Sequence, residues 1–397
     1  MKIETSSMSD ALDRALCGAI EGFFGGGRCF LLAKGRVALY VGLRALGLPP
    51  GSTVLMPGYT CVVVPSAVQY AGLKPAYVDI DPHTYNMASA LLEKLPASNV
   101  SAIIIQHTYG IPAAVAAIQQ RAASRGIPVI EDCCHTFGTR IDGRLSGTFG
   151  AFAFMSGQWT KPFSTGLGGM LLVNDAQLAG RVEEIVRQEG SSPGPLKNML
   201  LQAQILAFQL LVRPSTAARM TAGYRALNRW GLAIGSSTEG ELKGQRPPGY
   251  LTTMAPCQVR RGLREMSRIG ENIRHRTHLV AFYHRELPRI GFAALSCISA
   301  EGMPLLRYPV RVANKAEVLT LAAKKGLEIG SWFEVPLHPA GTHMEDFGYC
   351  PGMCPQGEAA SGQVINLPTH LRVSEKVAER TLRFLSRYGE PGNGGAR

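Results

Sequence analysis

Between residues 30 and 175, short and nearly unbroken apolar runs alternate with stretches whose apolar positions recur at helical spacing. Successive βαβ units produce that alternation. Residues 53–57, 75–80, 100–106 and 127–132 read as strands, and 37–46, 65–71 and 113–125 as the helices between them. Each strand is apolar almost throughout, which predicts burial on both faces of a mostly parallel sheet. Ligand chemistry on such a sheet gathers at the carboxyl ends of strands, where Asp79, Gln106, His107 and Asp132 fall.

The pattern breaks between residues 191 and 249. Ser191-Ser192-Pro193-Gly194-Pro195 opens this stretch and Gln245-Arg246-Pro247-Pro248-Gly249 closes it. Inside, residues 198–212 form an apolar helix on which Asn198, Gln202 and Gln209 share a sector of about 40°, with Gln204 elsewhere. Fifteen residues are too few to cross a bilayer, which takes about twenty. Two readings stay open: a helix packed on its own domain or on a dimer partner, and a surface helix resting on a membrane. Further on, 255–287 reads as one long arginine-rich helix, 305–312 as a strand, 315–325 as a helix and 374–387 as the last helix. The chain thus divides into a large α/β domain, 1–249, with a basic helical insertion at about 191–246, and a smaller α+β domain, 250–397. The tail beyond Tyr388 is expected to fray.

Composition narrows the picture. The chain has 397 residues, 46% of them hydrophobic, enough for a large core. Glu4, Asp10, Asp13 and Glu21 interrupt the first thirty residues, which argues against a cleaved secretion signal. Nine scattered cysteines fit a reducing cytoplasm. The net charge of +12 is uneven: from Gly190 to Thr238 there is no acid, against Lys197, Arg213, Arg219, Arg225 and Arg229. Anionic substrates or a phosphorylated cofactor account for such an excess, and no nucleic-acid motif accompanies it.

The chemistry concentrates on two residues. Asp132 ends a buried strand, and Lys161 follows in Phe154-Met155-Ser156-Gly157-Gln158-Trp159-Thr160-Lys161, ahead of a Gly/Ser/Thr-rich turn to Gly169. These are the groups that pyridoxal 5'-phosphate requires: a lysine amine for the aldehyde, and an acid that keeps the ring nitrogen protonated. Against this stand a solvated lysine and an aspartate that merely caps a turn.

In order along the chain come Ala45-Leu46-Gly47, Pro50-Gly51, Ala71-Gly72-Leu73-Lys74-Pro75, Val78-Asp79-Ile80-Asp81 and His107-Thr108-Tyr109-Gly110. They are followed by Pro128-Val129-Ile130-Glu131-Asp132-Cys133-Cys134-His135, Ser156 to Lys161, Gly166-x-Gly168-Gly169 and Asn366-Leu367-Pro368-Thr369-His370. In these motifs the sequence resembles the DegT-type sugar aminotransferases, pyridoxal phosphate enzymes of fold type I, over about 35–175 and again over 249–385. The resemblance implies that Lys161 carries the cofactor and shuttles a proton, and that Asp132 pairs with the pyridinium. It places His135 near the ring's phenolic oxygen, unless that histidine is simply part of the core. Gly35 and Arg36 backbone amides and the Ser156 hydroxyl are assigned to the phosphate. The Arg36 guanidinium, where relatives have Thr, either grips phosphate or points into solvent. Cys61 takes the place of a stacking aromatic, with Tyr59 as a possible substitute. Gly249-Tyr250-Leu251-Thr252-Thr253-Met254 lacks the Asn and Arg that relatives use at the neighbouring subunit's cofactor.

The implied activity is transfer of an amino group from an amino acid, glutamate or glutamine, to a keto sugar or related keto compound in glycan or secondary-metabolite assembly, by a cytoplasmic homodimer. A sugar dehydratase is the second reading, although in those relatives a histidine replaces the lysine that Lys161 retains. A cofactor-binding regulator without turnover is the third.

Overall fold

The computed structural model describes residues 2–94, 100–213, 233–235 and 237–389, with positions 216, 220, 223, 224 and 226–228. Arg219, Arg225, Arg229 and the tail from 390 onward lie outside the described residues.

The chain opens with helix α1 (Lys2–Phe24) and strand β1 (Arg28–Leu32), then α2 (Gly35–Leu46), β2 (Thr53–Pro57), β3 (Thr60–Cys61), α3 (Val63–Tyr70) and β4 (Lys74–Val78). Next are β5 (Ala102–Gln106), α4 (Val115–Ala123), β6 (Val129–Asp132), the hairpin β7 (Arg140–Ile141) and β8 (Arg144–Leu145), β9 (Phe152–Ser156) and β10 (Gly169–Val173). Helices α5 (Ala176–Glu189), α6 (Pro195–Leu211) and the short α7 (Glu239–Leu242) lead to α8 (Pro256–Ser267) and α9 (Ile269–Glu286). The remainder is β11 (Arg307–Arg311), α10 (Lys315–Lys324), β12 (Leu337–His338), α11 (Pro355–Gln363), β13 (Val364–Pro368) and α12 (Glu375–Leu385).

Seven strands form the main sheet in the order β1-β10-β9-β6-β5-β2-β4. Strands β9, β6, β5, β2 and β4 run parallel, while β10 is antiparallel to both β9 and β1. The sheet is therefore mostly parallel, with helices on both faces, as the apolar runs require. Leu39, Val41, Val68 and Val182 from α2, α3 and α5 cover one face with the inward residues of the strands. The other face is shared by α4, through Val115 and Ile118, and by α1, through Leu16, Ile20 and Phe24.

The expected single helix over 255–287 is two helices. Arg268, at φ −113° and ψ 7°, separates α8 from α9. Its N–H closes on Glu265 at i−3, the Ser267 hydroxyl bonds back to Arg264, and Gly270 follows at once. Helix interiors disfavour both features. The two helices also serve different cores. Val259 of α8 packs beneath β10 with Leu16 and Phe163, whereas Leu279, Val280 and Tyr283 of α9 pack with β11, β13 and α12. No described helix is long and apolar enough to cross a membrane.

Candidate active site

Strand ends and the loops that follow them bring Asp132, Lys161, Cys61 and His135 within electrostatic reach of one another. Asp132 closes β6 with its side chain buried. Its Oδ1 accepts the Cys134 amide at 2.9 Å, a backbone donor rather than a basic side chain. Burial raises its carboxyl pKa, against the Cys134 bonds, Lys161 and His107. A buried acid in that condition gains from any cation brought to it.

Lys161 lies in the turn between β9 and β10, its N–H on the Gln158 carbonyl at 2.9 Å. Burial lowers the pKa of its amine, with Cys134, Asp132 and Cys61 opposing and Arg307 adding to the effect. The amine is thus held near Asp132 and shifted toward its nucleophilic, uncharged form. Nζ sits 4.7 Å from the ring centroid of Trp332.

His135 is buried, and its Nδ1 accepts the Tyr109 amide at 3.1 Å, so the ring proton resides on Nε2. Burial, together with Lys161, Arg307 and His338, pushes its pKa well below the usual value and keeps the ring neutral. Its plane lies nearly parallel to Trp332, at 13° and 5.5 Å between centroids. Tyr109 offers that amide from a left-handed backbone, φ 59°, an uncommon conformation for a bulky residue.

At the far end, the N-terminus of α2 meets Ser156. Lys34 precedes the helix in extended conformation and no side chain caps it. A Cβ on Gly35 would stand 3.0 Å from the Met155 carbonyl oxygen and 3.1 Å from Ser156 Cβ. One on Gly169 would be 2.1 Å from the Lys34 carbonyl carbon. Both glycines let β9, β10 and α2 approach backbone to backbone, which leaves the helix start and the Ser156 hydroxyl side by side. An uncapped helix start beside a hydroxyl is a ready phosphate cradle. The Arg36 side chain neither reaches solvent nor hangs free: Nη1 donates to Glu241 Oε1 at 2.6 Å and Nη2 to Ser237 Oγ at 2.9 Å. The two outcomes foreseen for its guanidinium are replaced by a buried ion pair with α7, and its backbone remains at the helix start.

Cys61 ends β3, pairs with His338 of β12, and stands among Arg36, Lys161 and Asp132. Tyr59 is packed in the core against Tyr109 and Phe333 rather than offered as a substitute ring. It is fully buried, its hydroxyl bonded to that of Tyr109 at 2.7 Å. Asp79 is also structural: its two oxygens accept the amides of Gln356 and Gly357 and so cap α11. His107 and Glu131 form a buried pair behind Asp132, with Glu131 also accepting the amides of Gly147, Phe149 and Gly150.

Two residues of this site escaped the sequence. Trp332 is clasped by Asn366, whose Oδ1 accepts the Trp332 amide at 3.1 Å while its Nδ2 donates to the Trp332 carbonyl at 2.6 Å. Arg307 of β11 holds its guanidinium carbon 5.6 Å from the Trp332 centroid. Its Nη2 is 3.6 Å from Glu328, and its buried Nη1 has no hydrogen-bond partner. Arg307 lies in a strand legible in the sequence, but nothing there assigns it to the site; for Trp332 the one available cue is the Asn366 motif, which holds it.

The chain is similar to known proteins. Over 166 residues the chain is 40% identical to UDP-2-acetamido-2-deoxy-3-oxo-D-glucuronate aminotransferase of Pseudomonas aeruginosa, a match covering 42% of this chain and 46% of that protein. It is 34% identical over 185 residues to L-glutamine:2-deoxy-scyllo-inosose aminotransferase of Micromonospora echinospora, covering 47% and 44%. The chain thus spans less than half the length of either relative. The crystal structure of NtdA from Bacillus subtilis with bound cofactor PMP superposes with a TM-score of 0.71 at 19% identity, over 95% of this chain and 76% of that one. The model of the DegT/DnrJ/EryC1/StrS aminotransferase family matches residues 13–385, and the chain belongs to that family.

Proposed function

We propose that the protein is a pyridoxal phosphate-dependent aminotransferase that moves an amino group from an amino acid, glutamate or glutamine, to a keto sugar or related keto compound. The observation that carries this reading is that the Lys161 amine and the Asp132 carboxylate are both buried and within electrostatic reach of each other, with Trp332 4.7 Å from the amine. The similar proteins named above support it, since their names specify oxo-sugar or inosose acceptors and, in one, glutamine as donor.

The residues fit the cofactor at both ends. Asp132 would hold the ring nitrogen, and the Gly35 and Arg36 amides with the Ser156 hydroxyl would hold the phosphate. When bound, the cofactor supplies the aldehyde that takes up the amino group and an electron-accepting ring. This chain's part is to position and to move protons. Lys161 Nζ, uncharged at lower pH than an ordinary lysine, accepts a proton and returns it. His135 presents Nε2–H and cannot accept at Nδ1, which Tyr109 occupies. Trp332 and Cys61, both near Lys161, help to exclude water from it. Arg307 Nη1 is the group we assign to the donor's carboxylate, taking the place of the arginine missing from 249–254. The working unit in this reading is a cytoplasmic homodimer, and the expected division near residue 249 shifts to Arg268, because Met254 and Val259 pack in the core of the large sheet.

The test is spectroscopic. Loaded protein should be yellow and should bleach on addition of glutamate or glutamine, and Lys161→Ala should hold no yellow chromophore. Because the Lys161 pKa is lowered, colour should develop from the apo-protein at pH values well below an ordinary lysine's value of about 10.4. A yellow protein that bleaches with no amino acid would favour a binding protein without turnover.

A further inference from the structure

Five of the seven exposed large hydrophobic side chains among the described residues belong to one helix: Leu196, Met199, Leu206, Leu210 and Leu211 of α6. At 100° per residue they fall, together with Leu200, Ala203 and Ala207, in one sector of about 140° that contains no polar residue. The opposite side of α6 packs on the protein. Leu201 and Ile205 are buried against Leu167 and Cys257, Phe208 stacks on Trp159 at 4.8 Å, and Asn198 accepts the Cys257 amide. Arg372 ties down the C-terminal end by donating to the Val212 carbonyl at 2.9 Å. The helix is therefore held firmly with its apolar sector turned outward, an arrangement that a monomer in water does not reward.

We propose that this face of α6 docks on an anionic lipid surface, lying in the headgroup layer rather than crossing it. The charge around it identifies the occupant. Residues 190–238 carry no acid, and exposed Lys197 and Arg213 stand at the two ends of α6. Arg219, Arg225 and Arg229 add three more cations to the same stretch of sequence. A second copy meeting α6 across a two-fold axis would set this basic segment against itself, whereas phosphate headgroups neutralise it. A helix of 17 residues spans about 25 Å, suited to lying in the interface and too short to traverse it. Its buried side rests on Trp159 and Leu167, in the loop that carries Lys161. Docking therefore holds the active-site loop close to the lipid. The inference does not depend on which amino acid or keto compound the enzyme uses.

Flotation of the full chain, loaded with pyridoxal phosphate, tests it. Vesicles of phosphatidylcholine with about a third phosphatidylglycerol are compared with pure phosphatidylcholine. The native protein should float with the anionic vesicles at least tenfold more than with the neutral ones. Leu206→Gln with Leu210→Gln, and separately Lys197→Glu with Arg213→Glu, should each cut the bound fraction at least tenfold. All four positions are exposed, so the visible absorbance of the bound cofactor should be unchanged and reports folding. Native protein that never floats, or variants that float equally well, would overturn the proposal. A native dimer that fails to float and dissociates in Leu206→Gln/Leu210→Gln would overturn it in favour of self-association.

Discussion

At the scale of single residues, the site gathers buried charged groups whose hydrogen-bonding capacity is only partly used. Asp132 is acidic, buried and bonded to a backbone amide; Lys161 is buried and easily deprotonated; Arg307 keeps one buried nitrogen unbonded. A hydrogen bond to a charged group contributes about 1.5–3 kcal/mol, and each 1.4 kcal/mol is tenfold in affinity. Arg307→Gln should therefore raise the KM for the amino donor by roughly 10–100-fold while leaving the colour of the bound cofactor in place. Half-reaction titrations with glutamate and with 4-aminobutyrate separate the causes. A carboxylate anchor predicts that the variant loses the preference for glutamate, whereas a purely structural arginine predicts equal losses for both.

At the scale of elements, the tie between α7 and α2 stands out. Glu241 lies in a four-residue helix and Arg36 in the first turn of α2, 205 positions away, and both are buried. Burial works to raise the pKa of Glu241, but Arg36 and Lys34 pull it down, so the carboxylate is charged. A Thr238–Glu241 capping box fixes α7 for this contact. Removing one partner of a buried pair costs about 3–5 kcal/mol, because the remaining charge stays in the interior. Glu241→Gln should lower stability by that order in urea denaturation, and the joint replacement Arg36→Met with Glu241→Leu should recover most of the loss. Lys34, which burial and Arg36 lower to about 8 and Glu241 raises, should become still easier to deprotonate in Glu241→Gln.

At the scale of the molecule, what the sequence made legible was whatever repeats or is local. Four of the five parallel strands, β2, β4, β5 and β6, are legible as nearly unbroken apolar runs, whereas β9 is not; Asp132 is marked by its place at the end of such a run and Lys161 by the motif and Gly/Ser/Thr-rich turn around it. Helix α1 is poorly legible although Leu16, Ile20 and Phe24 recur every four residues, because polar and acidic residues such as Glu4, Asp10 and Asp13 interrupt the apolar pattern before them. The break at Arg268 depends on a hydrogen bond at i−3 that no periodicity encodes. Trp332, Arg307 and the Arg36–Glu241 pair come from segments distant in sequence, and nothing in one segment specifies its partner in another. The lining of the site is thus a property of the assembled fold, while its skeleton can be read along the chain.

That division has a cause in Gly169. Where β10 begins, main chain touches main chain, with no side chain between the loop of the amine and the helix of the anion. The span separating the two ends of the ligand is consequently ruled off in peptide units, like marks on a gauge. Replacing rings, thiols or hydroxyls along the walls would leave the gauge reading the same length.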